Sequence, residues 1–154
     1  MVAVALQALA KRANGDLIGE SVPLQGLARD SRLTQPGDLF AAIEGIQVDG
    51  HDFASQATAA GAVAVLTERE VKGITPQLVV SDVVKASGQF ALLKRQAFLG
   101  SVVAVTGSAG KTTTKNLIAA ALAGAGAVHA TQGNHNNELG VPITLAGLNE
   151  SHQI

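Results

Sequence analysis

The feature that most constrains the fold of this chain is an apolar run that leads directly into a glycine-rich segment containing a lysine. The run, residues 102–105, is followed by Thr106-Gly107-Ser108-Ala109-Gly110-Lys111-Thr112-Thr113. A short, continuous apolar run is typical of a strand that is buried on both faces of a parallel sheet. Residues 111–122 have the composition of a helix, with an inward face expected at Leu117, Ile118, Ala121 and Leu122. The segment therefore predicts a buried strand, a tight loop and a helix.

Such a junction is suited to bind phosphate groups. Glycines leave backbone N–H groups open to phosphate oxygens, and the following helix directs its positive N-terminal end to the same place. Lys111 supplies a charge for the β- and γ-phosphates, and the Thr112 hydroxyl suits Mg²⁺. We therefore expect ATP and Mg²⁺ as cofactors, Lys111 as the catalytic residue and Thr112 as a metal ligand. The predicted nucleotide-binding residues are Gly107, Ser108, Ala109, Gly110, Lys111, Thr112 and Thr113.

The segment departs from the general phosphate-loop pattern at one position. That pattern has a glycine five residues before the second glycine of the loop, where this chain has Val105. The competing interpretation is a glycine-rich turn between strand and helix with a solvated lysine. Phosphate binding is favoured because Gly-Lys-Thr-Thr at such a junction has little structural purpose otherwise.

Composition excludes several classes of function. Aromatic residues make up 3% of the 154 residues, with no Trp and no Tyr, so base stacking on exposed rings is not expected. The formal net charge of -1 gives no general attraction to nucleic acid. The absence of Cys rules out disulfides and cysteine nucleophiles. We expect a cytoplasmic protein for two reasons. No apolar stretch approaches the roughly 20 residues of a membrane span, and no basic region precedes the first apolar run, as it would in a secretory signal.

The order of the elements predicts an α/β fold, since apolar runs of strand length alternate with amphipathic segments. We predict a small N-terminal domain over residues 1–98 and the beginning of a phosphate-loop domain over residues 99–154. One strand, one helix and part of a crossover do not complete a parallel sheet, so the second domain is predicted to be incomplete. Strands are expected near 17–18, 24–28, 39–43, 62–66, 78–80, 102–105 and 128–130, and helices over 2–13, 52–60, 83–98, 111–122 and from Pro142.

Three parts of the sequence together resemble the Mur ligase family. The glycine-rich segment is similar to that family's phosphate loop, which reads Thr-Gly-Ser/Thr-x-Gly-Lys-Thr/Ser. Residues 28–32, 36–43 and 49–53 resemble its N-terminal UDP-sugar-binding domain. Residues 133–142 resemble the MurF-type branch, which adds D-alanyl-D-alanine. The combination is much more specific than the phosphate loop alone.

The resemblance implies an ATP-dependent ligase of peptidoglycan precursor synthesis. ATP would convert the carboxylate of UDP-N-acetylmuramoyl-tripeptide into an acyl phosphate, and the amine of D-alanyl-D-alanine would displace phosphate from it. Ser31 and Arg32 are placed at the UDP end of the substrate, where a planar guanidinium suits a diphosphate. Asn136 and Asn137 are assigned substrate contacts. Because family members are about three times as long, this chain alone is expected not to catalyse ligation.

Several alternatives stay open from the sequence. Asp30 and Arg32 are also compatible with a surface ion pair, and the asparagines after Gly133 with a turn. A non-catalytic module that binds a UDP-sugar or nucleotide, the related MurE-type branch, and another phosphate-loop enzyme such as a small kinase are the competing functions. The third residue of the peptide substrate is not specified. Neither is the oligomeric state, for which a monomer is the working expectation.

Overall fold

The computed structural model of the protein describes residues 3–45, 48–131 and 139–154. The strands are β1 (Val4–Ala5), β2 (Asp16–Ile18), β3 (Pro23–Leu24), β4 (Gly26–Ala28), β5 (Asp38–Ala41), β6 (Ala64–Thr67) and β7 (Gln77–Val79). The α-helices are α1 (Leu6–Ala13), α2 (Ala54–Ala60), α3 (Val83–Ala97), α4 (Lys111–Leu122) and α5 (Gly140–Ala146). Short 3-10 helices cover Ser31–Leu33 and Gly50–Phe53.

The main sheet contains five strands in the order β2-β7-β6-β5-β4. β4 to β7 pair in parallel, and β2 pairs with β7 in the antiparallel direction. β1 and β3 form a separate two-stranded antiparallel ladder. The α/β fold with a parallel sheet is confirmed, and the antiparallel edge strand is an addition that the alternation of elements does not predict.

The core lies on both faces of this sheet, as alternation along β5 shows. Leu39 and Ala41 belong to a cluster that includes α1 and α3, whereas Phe40 and Ala42 belong to a second cluster with α2. This division follows from the two-residue period of a strand, which directs successive side chains to opposite faces. β6 is buried at all of its positions, as expected for a central parallel strand covered on both sides.

The helix ends explain how the chain turns back onto the sheet. α1 ends at Asn14, which has the left-handed conformation (φ 52°, ψ 48°) that the Asn-Gly pair predicts. α3 begins at Asp82, whose carboxylate accepts a hydrogen bond from the Lys85 amide at 2.8 Å. Both caps satisfy backbone groups that a helix end leaves without partners. They also fix the lengths of the two helices that cover one face of the sheet.

The buried strand predicted for residues 102–105 is wrong, since these residues form no strand. Val102 is 46% exposed and Val103 53% exposed. A strand is buried only where neighbouring strands and covering helices are present on both sides. The described residues supply just one hydrogen bond at its start, from the Ser101 amide to the Gln153 carbonyl at 2.9 Å. The strand predicted for 128–130 is not formed either.

α4 has the predicted bounds, but its inward face is not buried. Leu117 is 67% exposed, and no residue of the helix is fully buried. The helix lacks a sheet to pack on for the reason just given. α4 therefore projects its apolar side chains toward a partly open cleft.

α5 joins the second part of the chain to the first. It begins at Gly140, so the prediction that Pro142 opens it is wrong by two residues. It packs against α3 and β4, and Ala146 is fully buried in the same cluster as α1 and α3. In the described ranges, no helix is long and apolar enough to cross a membrane.

Candidate nucleotide-binding site

The glycine-rich segment forms a loop at the N-terminus of α4, as predicted. Gly107 and Gly110 have positive φ values of 153° and 76°, which side chains disfavour. A Cβ atom at Gly110 would have no atom within 4 Å, so open space faces the loop at that point. The loop conformation explains why glycine stands at both positions.

The first turn of α4 provides a set of unpaired backbone donors. The first helical hydrogen bond runs from the Thr114 amide to the Gly110 carbonyl at 2.9 Å. Within the described chain, the amides of Lys111, Thr112 and Thr113 have no acceptor. No side chain caps the helix at Gly110. These amides and the helix dipole form a cradle that fits phosphate oxygens.

Lys111 lies over this loop and interacts with it. Its Nζ donates a hydrogen bond to the carbonyl oxygen of Gly107. The ammonium group is thus held at the mouth of the cradle by a backbone acceptor rather than by a carboxylate. A lysine in this position can transfer its hydrogen bond to a phosphate oxygen without breaking an ion pair.

A cavity of about 590 Å³ adjoins the loop. It lies between residues 101–105, α4 and residues 128–131, and Leu145 and Leu148 close one side of it. Lys111, Thr112 and Lys115 are among the polar side chains that line it. The Lys115 Nζ donates to the carbonyl of Thr131, so it joins α4 to the chain across the cleft.

Ser31 and Arg32 follow β4 in a 3-10 turn, and their side chains have different environments. Ser31 is buried and donates its hydroxyl to Gln56 Oε1 at 2.9 Å. Arg32 has 78% of its side chain exposed and forms a two-point ion pair with Asp30, at 2.9 Å and 2.7 Å. Hydrogen bonding to Arg32 lowers the pKa of Asp30 to about 2. The ion pair that the sequence left open is therefore formed, with the guanidinium still reaching solvent.

A polar network that the sequence analysis did not identify lies at the same edge of the sheet. Asp49 accepts from the buried His51 ring at 2.5 Å and from Arg69, and hydrogen bonding to Arg69 holds the pKa of Asp49 well below its usual range. The His51 ring also accepts from the Glu68 amide at 3.4 Å. These residues follow the carboxyl ends of β5 and β6, the edge where open parallel sheets bind ligands. Asp49 also accepts from the His51 amide at the start of the 3-10 helix, a turn that the Asp-Gly-His sequence indicates. No local sequence signal indicates the contact with Arg69.

The structure brings together only part of the predicted site. The loop residues 107–113 are contiguous, whereas Ser31 and Arg32 line neither the cavity beside the loop nor a smaller one between β4 and α5. Asn136 and Asn137 lie outside the described residues. The glycine-rich loop and the Ser31–Arg32 turn therefore share neither of these cavities.

Fold and loop together define an α/β protein with a glycine-rich loop of unpaired amides at a helix N-terminus. Residues 23–143 match the family described as "Mur ligase family, catalytic domain", and the chain belongs to that family. The resemblance seen in the sequence is thus confirmed.

Relatives and solved structures narrow the comparison. The chain is 45% identical over 138 residues to the UDP-N-acetylmuramoyl-tripeptide--D-alanyl-D-alanine ligase of Synechocystis sp., covering 88% of this chain and 30% of that protein. It superimposes on MurF from Acinetobacter baumannii with a TM-score of 0.82 and 35% identity, covering 98% of this chain and 34% of the other. MurF ligase from Thermotoga maritima, solved in complex with ADP, gives a TM-score of 0.70 at 34% identity over 84% of this chain and 30% of that one. The chain thus spans about a third of the length of the proteins it matches.

Proposed function

We propose that this chain is the phosphate-loop and UDP-substrate portion of an ATP-dependent ligase of the MurF type. The whole enzyme joins D-alanyl-D-alanine to UDP-N-acetylmuramoyl-tripeptide through an acyl phosphate. The observation that carries the proposal is the cradle of free amides at the start of α4 with the Lys111 ammonium above it. Relatives at up to 45% identity that are named for this reaction support the choice of substrates.

Each residue of the loop has a proposed part in binding MgATP. The amides of residues 107–113, including Ser108 and Ala109, hold the phosphate oxygens, and the bare Gly110 lets the nucleotide approach the backbone. Lys111 exchanges the Gly107 carbonyl for a phosphate oxygen and offsets charge as the γ-phosphoryl group moves. Thr112 is proposed to hold Mg²⁺ through its hydroxyl. MgATP supplies the phosphoryl group that turns a carboxylate into an acyl donor.

The UDP end of the substrate is proposed to bind at the carboxyl edge of the main sheet. Arg32 contacts the diphosphate with its exposed guanidinium, exchanging part of the Asp30 ion pair for phosphate oxygens. The neighbouring Ser31 is buried and donates its hydroxyl to Gln56, which leaves an oxygen lone pair for the substrate. Asn136 and Asn137, which lie outside the described residues, are also proposed to contact the substrate.

The remaining attributes of the protein follow from the same proposal. We assign residues 1–98 to the UDP-substrate domain and residues 99–154 to the start of the ATP-binding domain. We place the protein in the cytoplasm as a monomer, acting in cell-wall biogenesis and so in cell shape and division. Ligation by the 154-residue chain alone is not expected, since it spans about a third of its relatives.

One structural observation favours a second function for the isolated chain, that of a non-catalytic nucleotide or UDP-sugar module. α4 carries the phosphate loop yet buries none of its residues, so the loop lacks the rigid support that catalysis demands. Such a module binds its ligand without turning it over. Binding and turnover therefore have to be measured separately.

Calorimetric titration of the chain with UDP and with MgATP, followed by a coupled ADP-release assay with all three substrates, tests the proposal. We expect saturable heat for both ligands and no steady release of ADP. Steady turnover would refute the claim that the chain alone is inactive. If MgATP gave no heat of binding, the proposed nucleotide-binding site would be refuted.

A further inference from the structure

The hydroxyl of Ser31 orients the carboxamide of Gln56 at the carboxyl edge of the main sheet. Ser31 follows β4, and Gln56 belongs to α2, which follows β5. The Ser31 Oγ donates a hydrogen bond to Gln56 Oε1 at 2.9 Å. Because the oxygen of the carboxamide is held on that side, its NH2 group points to the other. In the described part of the chain, Gln56 Nε2 has no acceptor, so a donor is available to a ligand.

The surroundings of this pair have a buried end and an exposed end. Ser31 is buried, whereas the neighbouring Arg32 has a largely exposed side chain. Arg32 is the proposed contact of the diphosphate, so the end of a UDP group that is farthest from the phosphates lies toward Ser31 and Gln56. That end is the edge of uracil that carries the C4 carbonyl and the N3–H group. The pair is therefore placed to contact the base rather than the phosphates.

The hydrogen-bonding groups of the pair match that edge of uracil. Gln56 Nε2 offers a donor for the C4 carbonyl oxygen, and the Ser31 oxygen keeps a lone pair for N3–H. Cytosine has the reverse arrangement, since it carries an amino donor at C4 and an acceptor at N3. Binding cytosine in the same place would set donor against donor. A pair in this orientation therefore distinguishes uracil from cytosine.

Apolar side chains are exposed on the two turns that contact α2. Leu33 lies in the same 3-10 turn as Ser31, and Phe53 ends the 3-10 turn that leads into α2. Both side chains are exposed, and both turns pack against α2. The faces of a pyrimidine ring pack on apolar side chains, whereas diphosphate and ribose groups interact mainly with polar ones. Exposed apolar groups beside a polar pair thus favour a base as the ligand at this edge.

We propose that Gln56 is a specificity-determining residue for the uracil base and that Ser31 holds it in position. The inference rests on the proposed binding of the UDP end at this edge, to which it adds a residue that recognises the base. The Gln56 amide donates to the C4 carbonyl oxygen, and the Ser31 oxygen accepts from N3–H. The phosphate loop takes no part in this contact, so the affinity for MgATP is expected to stay the same in Gln56 variants.

Calorimetric titration with UDP and with CDP tests the proposal on the native 154-residue chain, Gln56→Glu, Gln56→Ala and the control Gln7→Glu. We expect the native chain to bind UDP about 10–100-fold more tightly than CDP. Gln56→Glu replaces the donor by an acceptor, which repels the C4 carbonyl and accepts from the cytosine amino group, so the preference reverses. Gln56→Ala should bring the two affinities within about threefold of each other, because the freed Ser31 hydroxyl can then donate or accept.

Gln7→Glu makes the same charge change on α1, where the side chain is exposed, and should leave both affinities unchanged. Circular dichroism of each variant verifies that it is folded. A UDP-to-CDP affinity ratio that stays at the native value in both Gln56 variants would overturn the inference and leave the UDP site in place. If the native chain showed no saturable binding of UDP, the UDP site and this inference would both be overturned.

Discussion

The Lys94 ammonium is buried and donates a hydrogen bond to the carbonyl oxygen of Gln25 at 2.7 Å. This joins the last turn of α3 to the amino end of β4. Burial lowers the pKa of Lys94 to about 8, against an opposing effect of nearby Asp38, whose own pKa is raised by burial. A charged group here makes folding sensitive to alkaline pH.

Stability is expected to rise as the pH increases from about 8 to 10.5, the folded and ordinary pKa values of Lys94. In this range the unfolded chain binds more protons than the folded one, so proton loss favours folding. The gain attributable to Lys94 is on the order of 3 kcal/mol. Urea unfolding of the native chain and of Lys94→Met across this range measures it. Parallel curves for the two proteins would contradict the assignment.

Replacement of Lys111 by Ala is expected to weaken MgATP binding by about 10–100-fold, because a charged hydrogen bond to phosphate is lost. Gly110→Ala is expected to weaken it too, since its φ of 76° is unfavourable for alanine. The matched control is Gly124→Ala beyond the other end of α4, where a Cβ atom also meets nothing within 4 Å. Calorimetry decides the matter. Equal affinities for Gly110→Ala and Gly124→Ala would mean that the loop conformation is not used.

Replacement of Arg32 by Met is expected to weaken UDP binding by about tenfold, because the exposed guanidinium is proposed to bind the diphosphate. Lys72→Met removes an exposed cation elsewhere and should leave the affinity as it is. Fluorescence competition or calorimetry with UDP gives both values. A similar loss in both variants would indicate general charge attraction and no defined site.

The stability of the apolar cluster that contains α1 and α3 is expected to depend on Phe90, a residue of α3 that is fully buried. Phe90→Ala should lower the free energy of unfolding by about 3–5 kcal/mol, as the removal of a buried ring leaves a cavity. Leu92→Ala, two residues further on and 43% exposed, should cost about 1 kcal/mol or less. Comparable losses would place the core boundary elsewhere on the helix.

The segment near the end of the chain is expected to loosen in acid through His152. Burial, and then the neighbouring His129 and Lys94, lower the pKa of His152, and its Nδ1 accepts from the Asn149 amide at 3.2 Å. Stability from this group is complete above its ordinary pKa of 6.5 and is lost as the pH falls through the lower folded value. NMR titration of the ring, compared with stability curves for His152→Asn, checks this. A ring pKa at or above 6.5 would refute it.

The sequence predicted the first half of the fold well because its signals are local. The apolar runs around residues 62–66 and 78–80, the Asn14 stop and the helix over residues 83–97 depend on period, caps and turns. The antiparallel pairing of β2 with β7 has no such local signal, since the direction in which two strands pair depends on residues far apart in the sequence. The strand predicted at 102–105 was wrong for the same reason, because its apolar sequence indicates burial only once neighbours exist.

The site was predictable to the extent that one segment forms it. The loop at 107–113 and the bounds of α4 follow from adjacent residues. Gln56 beneath Ser31, and Arg69 beside Asp49, lie 25 and 20 residues away from their partners, and no spacing rule connects them. The buried Lys94 was missed because a lysine at the end of a helix is ordinarily solvated.

The docking of α5 onto α3 and β4 has a consequence for any attempt to isolate the front of the protein. A fragment that stops before residue 99 would lack α5. It would therefore expose the edge strand β4 and the apolar surface on which Ala146 packs. Exposed edge strands of different molecules pair with one another and cause aggregation. Such a fragment is expected to aggregate at concentrations at which the 154-residue chain remains in solution.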